Sequence, residues 1–266
     1  MRKRGERVKK SDQCKRRDRR LTEEILLDSV PSTNTYAKEY AARGGSAPAL
    51  FVAREQTAGR GRMGRSFFSS DRGGLYYSLL LPWPDEGGNA LWLTGAAAVV
   101  TAEAIRTVFG VSVGIKWVND IYLNEKKLAG ILTEAFSVGE KKYALVGIGV
   151  NLYTEHFPAE LADVAISLCP GLSGERAEKQ REALICALTC GLLDAWEHPR
   201  DRRYMERYRQ ASVVLGREVR FTQNGVTREG VAESLDDGGG LWIAFADGSR
   251  QLLSSGEITL RRKDRK

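Results

Sequence analysis

The sequence predicts an α+β fold, with a large domain of strands and packed helices followed by a small C-terminal β-barrel of SH3-like size. Two observations predict it. Up to about residue 210, short apolar runs alternate with longer helical patterns. From Ala211 onward, only short strand patterns occur, separated by turns rich in glycine, asparagine and aspartate. We therefore expect a large domain over 25–210 and a small one over 211–266.

Residues 1–24 are predicted to form a basic, disordered tail. The chain carries a net charge of +7, but residues 1–20 hold eleven Lys/Arg and three Asp/Glu, leaving 30 basic and 31 acidic residues elsewhere. A solvating extension is favoured over a nucleic-acid-binding arm. The tail has no apolar run typical of a signal or anchor, and no later stretch is expected to cross a bilayer.

The cysteines and histidines exclude several kinds of site. The four cysteines lack CxxC spacing and lie apart from the two histidines, so they predict reduced thiols in a cytoplasmic protein. A zinc site, a disulfide framework and a histidine-based triad are all disfavoured. These residues are Cys14, Cys169, Cys186, Cys190, His156 and His198.

The folded body begins with a strand over 21–27 and a helix over 32–43. Ser32, Thr33 and Asn34 stand where an N-cap is expected. Capping is their structural role, and it leaves hydroxyl, amide and backbone donors at a helix N-terminus. The sequence therefore also predicts an anion site there.

A cationic loop follows at 59–65, which reads Gly-Arg-Gly-Arg-Met-Gly-Arg. The glycines let the backbone approach a ligand closely, and the arginines suit phosphate or carboxylate oxygens. An Arg/Gly stretch alone is also typical of RNA-binding arms. Here apolar strand patterns flank it, at 50–53 and 75–81, which favours an ordered ligand-binding loop.

The next elements surround a second polar cluster. An apolar helix is predicted over 95–109, packed against a sheet, and a strand over 115–120 ends in a polar turn. A hairpin over 121–126 then leads into a strand over 127–134. Two lysines, one in each of these strands, bracket an Asn-Asp pair, and this arrangement predicts that the turn is functional. These are Lys116, Asn119, Asp120 and Lys127.

The remaining pattern is mainly structural. A strand over 143–150 contains Gly147 and Gly149, which permit close backbone approach before Asn151. A helix over 176–196 has an apolar face typical of core packing. The C-terminal strands are predicted over 218–222, 226–232, 241–246 and 250–253.

Taken together, six motifs in order resemble those of the biotin protein ligases. They are Ser32-Thr33-Asn34, the segment 56–65, Lys116-Trp117-Val118-Asn119-Asp120, the segment 127–132, Gly147-Ile148-Gly149-Val150-Asn151 and the segment 256–260. The resemblance implies a class II synthetase-like catalytic domain around a mixed sheet, followed by an SH3-like domain. It implies ATP-dependent ligation of biotin to a lysine of a biotin carboxyl carrier protein through biotinyl-5'-AMP, releasing pyrophosphate and AMP.

The resemblance also implies the roles of individual residues. Biotin binding falls to Ser32, Thr33, Asn34, Gln56, Gly59, Arg60, Arg62 and Lys127. ATP and adenylate binding falls to Arg62, Arg65, Phe67, Lys116, Asn119, Asp120 and Asn151. Arg62, Lys116 and Lys127 are the implied catalytic residues. Mg²⁺ is the implied cofactor, with its ligands undetermined, and the separate roles of Asn119 and Asp120 stay open.

The chain departs from the family pattern in three ways. Val118 replaces the usual proline, and Phe67 stands for the usual tryptophan. Only about 20 residues, most of them charged, precede the body, whereas a winged helix-turn-helix of some members takes about 60. A repressor role and specific DNA binding are therefore not expected, and the chain is expected to be a monofunctional ligase. The choice between monomer and homodimer stays open.

Two rival functions remain. A lipoate or octanoate ligase or transferase shares the catalytic fold, although the Gly-Arg-Gly-Arg loop and the Lys-Trp-x-Asn-Asp turn favour biotin. An RNA-binding protein would use the basic tail and the loop. The near-neutral body lacks a basic sheet studded with aromatic residues, which disfavours it.

Overall fold

The structure, a computed structural model, describes residues 6–7, 18–69, 73–83, 89–199, 201–223 and 225–260. Most of the segment predicted to be a disordered tail therefore lies outside the described residues. Two parts of it are described and differ from that prediction. Glu6–Arg7 forms a short strand, and the strand that opens the body begins at Glu23.

An eight-stranded mixed sheet forms the body of the chain, in the order β1-β2-β3-β4-β8-β7-β6-β5. Among the described strands of this sheet, the pairing of β2 with β3 is parallel and the other pairings are antiparallel. The strands are β1 Glu6–Arg7, β2 Glu23–Val30, β3 Ala49–Gln56, β4 Gly74–Pro82, β5 Gly114–Lys116, β6 Asp120–Leu123, β7 Lys126–Val138 and β8 Lys141–Asn151. The predicted mixed sheet is confirmed.

Both faces of this sheet are covered, and strand β4 shows why. Its side chains alternate between two hydrophobic cores, with Tyr77 and Leu79 in one and Tyr76 and Leu80 in the other. Helix α1 (Thr33–Ala42) covers one face, and helices α2 (Ala90–Phe109) and α3 (Gly174–Glu197) cover the other. A strand buried on both sides is a continuous apolar run, as β4 is.

Helix α2 starts five residues before the predicted Gly95. The Asn89 side chain accepts hydrogen bonds from the backbone N–H groups of Leu91 and Trp92, and Gly110 ends the helix in the left-handed conformation. By length and composition alone α2 could cross a membrane, although it contains the charged residues Glu103 and Arg106. In the fold, most of the helix is buried in the core, as predicted for a helix packed against a sheet.

Helix α4 (Arg202–Ala211) was not predicted from the sequence. It is short and mostly charged, and only Met205 and Tyr208 are buried. Tyr208 donates a hydrogen bond to the Val118 carbonyl oxygen over 3.2 Å. The helix therefore supports the polar turn after β5 from behind.

The C-terminal residues form a five-stranded antiparallel sheet in the order β12-β11-β10-β9-β13. Its strands are β9 Glu218–Gln223, β10 Val226–Leu235, β11 Leu241–Ala244, β12 Arg250–Leu253 and β13 Ile258–Leu260. Four of them match the predicted strands, and β13 adds a fifth within the last motif. Trp117 of the polar turn donates from Nε1 to the Gly239 carbonyl oxygen over 2.9 Å, which ties this sheet to the body.

We predict that Tyr208→Phe lowers the free energy of unfolding by about 1–2 kcal/mol, because the buried Val118 carbonyl would lose its donor. Complete burial raises the pKa of Tyr208, so its hydroxyl keeps the proton it donates. Denaturant unfolding measures the change.

Tyr204→Phe is the matched control on the same helix. Its ring packs edge-on against Trp92, and among the described residues its hydroxyl has no hydrogen-bond partner. An equal loss in both variants would contradict the role given to Tyr208.

Candidate active site

One cleft collects the polar motifs of the sequence. It lies between the loop over 59–67, the N-terminus of α1, the β5–β7 segment and the start of β13. The residues lining it are Ser32, Thr33, Asn34, Gln56, Arg60, Gly61, Arg62, Arg65, Ser66, Phe67, Tyr77, Lys116, Trp117, Asn119, Asp120, Lys127, Gly130, Ile131, Leu132, Gly147, Ile148, Gly149, Gly256, Glu257, Ile258 and Thr259.

The cationic loop is ordered by its own backbone. The N–H of Phe67 donates to the Gly59 carbonyl over 2.9 Å, and the N–H of Gly61 donates to the Arg65 carbonyl over 2.7 Å. These bonds close a short hairpin around a one-turn 3-10 helix at Arg62–Gly64. A Cβ at Gly59 would lie 2.6 Å from the Phe67 carbonyl oxygen, so this position requires glycine. The prediction of an ordered loop agrees with this geometry.

The arginines of the loop reach both domains. Arg62 donates from Nη1 to Asn119 Oδ1 at 3.3 Å and to the Gly256 carbonyl at 3.2 Å. Burial lowers the pKa of Arg62, although the charges of Glu257 and Asp120 oppose that effect. Arg65 Nη2 lies 2.5 Å from Glu257 Oε2. The C-terminal sheet thus contributes directly to the cleft.

The two lysines each have a partner on the β5–β7 segment. Lys127 Nζ lies 2.7 Å from Asp120 Oδ1. Lys116 Nζ donates to the Tyr122 hydroxyl over 3.3 Å and sits 5.3 Å from the centre of that ring. Burial, and next the charge of Asp120, raise the pKa of Tyr122. Both ammonium groups are therefore held close to the polar turn.

The turn itself is fixed to the next strand. Asn119 donates from Nδ2 to the Ile131 carbonyl, and the Ile131 N–H donates to the Asn119 carbonyl, each over 2.9 Å. The Trp117–Val118 peptide is cis. The two hydrogen bonds between Asn119 and Ile131 orient the side-chain oxygen of Asn119 toward Arg62.

The N-terminus of α1 lies across the cleft from the turn. Ser32 caps the helix, as expected, by accepting from the Thr35 N–H over 3.5 Å. The Thr33 N–H donates to Gln56 Oε1 over 2.8 Å. Asn34 donates from Nδ2 to Glu134 Oε2 over 2.9 Å. Ser32, Thr33 and Asn34 are all buried. Their polar groups are therefore held in definite orientations.

Two glycines of β8 make room for this arrangement. A Cβ at Gly147 would lie 2.3 Å from Asn34 Oδ1, and one at Gly149 would lie 2.5 Å from the Phe67 ring. The close approach predicted at these positions is real. Here it is an approach of protein side chains that form the wall of the cleft.

Twelve of the fourteen site residues predicted from the sequence line the cleft, and Gly59 and Asn151 do not. Gly59 closes the base of the loop through its backbone contact with Phe67. Asn151 is buried and donates from Nδ2 to the Ile166 carbonyl over 3.3 Å. Its position supports the loop that follows β8, and in this structure it does not face the cleft.

Sequence reasoning missed several groups at or behind the cleft. Glu257 belongs to the last motif, but that motif carried no site role. Glu134 ends the segment 127–134 and binds Asn34, Lys38 and Arg60. Ser78 sits inside the apolar run of β4 and is completely buried. A polar residue within such a run was the only signal that pointed to it.

The arrangement suits a reaction between anions. Five cationic side chains line one cleft: Arg60, Arg62, Arg65, Lys116 and Lys127. Within the residues that the structure describes, no group of three or more His, Cys, Asp or Glu side chains could hold a metal ion by itself. Positioned cations can bring two like-charged substrates together and neutralise the charge between them.

Comparison with known proteins gives a consistent result. The model of the biotin/lipoate A/B protein ligase family matches residues 26–151, and that of the biotin protein ligase C-terminal domain matches residues 214–261. A biotin–[acetyl-CoA-carboxylase] ligase of Paracoccus denitrificans is 32% identical over 245 residues, which cover 88% of this chain and 98% of that protein.

Solved structures agree. The biotin protein ligase from Aquifex aeolicus in complex with biotin and ATP matches with a TM-score of 0.76 and 30% identity, over 91% of this chain and all of that one. The biotin protein ligase from Leishmania major in complex with biotinyl-5-AMP matches with a TM-score of 0.59 and 25% identity, over 88% and 99% of the two chains.

The environment of Glu134 predicts a dependence of stability on pH. Its burial acts to raise its pKa, but hydrogen bonds from Lys38 and Asn34 and the charges of Lys38 and Arg60 outweigh that effect and hold the pKa below the ordinary 4.5. A lowered pKa stabilises the fold above the ordinary value, and that stabilisation is lost as the pH falls through the lowered one.

We therefore expect the wild-type chain to exceed Glu134→Gln in free energy of unfolding above pH 4.5, and the difference to shrink below it. Denaturant unfolding across this range measures it. Glu39→Gln is the control, since Glu39 is exposed and its ion pair with Arg43 is 4.0 Å long. A constant difference across the range would refute the prediction.

Proposed function

This chain belongs to the biotin protein ligases, and from that membership we propose that its cleft joins biotin to ATP and then passes biotin to a carrier lysine. The reaction is ATP-dependent biotin ligation through biotinyl-5'-AMP. The observation that carries the proposal is the convergence of Arg62, Lys116 and Lys127 on one cleft beside the N-terminus of α1.

In the first step, an oxygen of the biotin carboxylate attacks the α-phosphorus of ATP. A new P–O bond forms, the bond to the β-phosphate oxygen breaks, and pyrophosphate leaves. The reacting groups are both anionic, so their repulsion must be offset before they meet. We assign Lys127 to the biotin carboxylate and Lys116 to phosphate oxygens. No covalent enzyme intermediate is needed.

In the second step, the neutral amine of a carrier lysine attacks the acyl carbon of the adenylate. The acyl–phosphate bond breaks, AMP leaves and the amine loses a proton. Asn119 and Asp120 face the region where these groups meet. In the structure Asp120 pairs with Lys127. In the complex Asn119 and Asp120 would face the adenylate, the metal or the incoming lysine.

The cationic loop protects the intermediate. A mixed anhydride is destroyed by water, so a reaction in two steps requires a closed site. Arg60 and Arg62 stand at the cleft, and Arg62 already reaches the C-terminal sheet through the Gly256 carbonyl. This contact favours a loop that closes over the bound adenylate.

Mg²⁺ would enter with ATP. Such an ion is commonly held by one or two protein oxygens together with the substrate phosphates. Asp120 offers a carboxylate at the cleft, and Asn119 offers an amide oxygen beside it. These donors fit a metal bound mainly by the nucleotide, whose contribution is to neutralise phosphate charge.

The finer organisation is proposed on the same basis. The five-stranded C-terminal sheet is SH3-like, and the boundaries 25–210 and 211–266 separate it from the catalytic domain. The acceptor is a biotin carboxyl carrier protein domain, which the acetyl-CoA-carboxylase ligase name of the Paracoccus relative supports. The protein acts in the cytoplasm.

The test is ATP–pyrophosphate exchange with biotin, lipoate or octanoate supplied separately. Exchange with biotin alone is the expected result. Exchange with lipoate or octanoate would move the chain to a neighbouring branch of its family. Absence of exchange with all three would overturn the proposal and favour the RNA-binding alternative, which predicts a steep loss of RNA affinity with salt.

Lys127→Ala is expected to lower biotin-dependent exchange by a factor on the order of 100 or more, because a cation facing developing charge is lost. Lys126→Ala is the matched control. Its Nζ donates to the Ala162 carbonyl over 2.8 Å, away from the cleft, so its exchange rate should be close to wild type. Full exchange by the Lys127 variant would sink the assignment.

Arg62→Ala is expected to form the adenylate but to release it about tenfold faster, since contacts that hold the loop closed are removed. Rapid filtration of enzyme loaded with labelled biotin and ATP measures retention. Met63→Ala controls for a change in the same loop, because Met63 is 75% exposed. Undiminished retention by the Arg62 variant would be the contrary outcome.

A further inference from the structure

Tyr122 stands on the middle strand of the β5–β7 segment, between the two lysines of the cleft. Across the ladder it pairs with Lys127 of β7 and with Gly114 of β5. Side chains alternate along a strand, so Tyr122 shares a face of β6 with Asp120. Lys127 reaches Asp120 on that face, and the Lys116 ammonium sits 5.3 Å from the centre of the Tyr122 ring. The ring therefore lies on the side of the sheet that carries both cations.

Lys116 is held by a neutral partner, whereas Lys127 is held by a carboxylate. Asp120 lies directly opposite Lys116 on the ladder, but its carboxylate pairs with Lys127 over 2.7 Å. Among the residues that the structure describes, no carboxylate forms an ion pair with Lys116. Its ammonium donates instead to the Tyr122 hydroxyl over 3.3 Å and faces the ring of the same side chain. Tyr122 therefore fixes the position of the Lys116 head group.

The Tyr122 hydroxyl stays neutral while it holds this lysine. Burial raises the pKa of Tyr122 above its ordinary 10.0, the charge of Asp120 adds to the rise, and the charge of Lys127 opposes it. An ammonium group only donates, so the tyrosine oxygen is the acceptor of the bond. A neutral oxygen and an aromatic face attract an ammonium less strongly than a charged acceptor does. Tyr122 can thus orient Lys116 without competing with a phosphate for its charge.

Orientation matters because a lysine side chain is flexible. It has four rotatable bonds, and fixing them when a ligand binds costs conformational entropy. A lysine that is already fixed in the free protein has lost that entropy beforehand, so more of its attraction for an anion is available to the reaction. Lys116 is the residue that we assign to the phosphate oxygens of ATP, so its orientation affects the first step.

We propose that Tyr122 is a positioning residue for the adenylation step, which holds the Lys116 ammonium toward the phosphates of ATP through its hydroxyl and its ring. The inference rests on the proposed function, because it takes Lys116 as the phosphate-binding lysine. Tyr122 is not among the residues that line the cleft, so it acts on ATP through Lys116. Its effect therefore concerns ATP and not biotin.

Tyr122→Phe removes the hydroxyl and keeps the ring. In pyrophosphate exchange, kcat/KM for ATP should fall about fivefold, which corresponds to the loss of roughly one hydrogen bond. The KM for biotin should stay within about twofold of wild type. Tyr122→Leu removes the ring as well, so kcat/KM for ATP should fall further, to about twentyfold below wild type.

Tyr204→Phe is the matched control. Tyr204 is also half-buried, and burial raises its pKa as it raises that of Tyr122. Its ring packs edge-on against Trp92, outside the cleft. Loss of its hydroxyl should leave kcat/KM for ATP within about twofold of wild type. An equal fall in the two variants would overturn the proposal, because the effect would then not depend on Lys116.

A double-mutant cycle with Lys116→Met separates positioning from a general structural role. In the Lys116→Met background, Tyr122→Phe should change kcat/KM for ATP less than about twofold, since no ammonium remains to be oriented. Calorimetric titration of the biotin-loaded enzyme with an ATP analogue carrying an α,β-methylene bridge repeats the cycle without turnover. There Tyr122→Phe should weaken binding only where Lys116 is present. Equal effects in both backgrounds would contradict the role of Tyr122.

A change of the opposite sign is also informative. A rise of kcat/KM for ATP in Tyr122→Phe would overturn the proposal, because it would show that the hydroxyl competes with phosphate for Lys116.

These outcomes are distinct from a failure of the proposed function. Absence of biotin-dependent exchange in the unsubstituted chain would refute the ligase assignment itself. Normal exchange in that chain, with an unchanged kcat/KM for ATP in Tyr122→Phe, would overturn only the role of Tyr122.

Discussion

The antiparallel pairing of β4, β8 and β7 is the constraint on which the rest of the structure depends. It sets Gly147 and Gly149 of β8 in the floor of the cleft, where the absence of a side chain admits Asn34 and Phe67. A register shift of one residue would put Ile148 there and turn every neighbour to the other face. The cationic loop and α1 therefore meet because this ladder has one register.

The cations of the cleft differ in how they are held. Lys127 pairs with Asp120 and Arg65 pairs with Glu257, so a bound anion must compete with a carboxylate for them. Arg62 instead bonds to two neutral oxygens, of Asn119 and Gly256. The electrostatic attraction between a bound anion and a partly buried cation with neutral partners is stronger than that between the anion and an exposed cation, because less water screens the buried charge.

The C-terminal sheet belongs to the site as much as the large domain does. Gly256 and Glu257, just before β13, bond to the arginine loop, and Gly239 accepts from Trp117 in the polar turn. The position of the arginine loop and that of the C-terminal sheet are thus linked through a few contacts. This linkage gives a physical reason for a ligase to keep a small β domain beside its catalytic sheet.

The sequence by itself determined the elements and the local chemistry, because both depend on neighbours along the chain. The continuous apolar run of β4, the N-cap at Ser32 and the glycines of the cationic loop can all be recognised from residues a few positions apart. Helix α4 was not predicted, because it is stabilised by the packing of two side chains and its charged composition gives no apolar pattern. The tertiary structure alone decided which partners meet. Glu134 reaches Asn34 across one hundred positions, and Asn151 bonds behind the cleft because the sheet turns it there. No local pattern encodes such contacts, since they arise only when elements distant in sequence pack together.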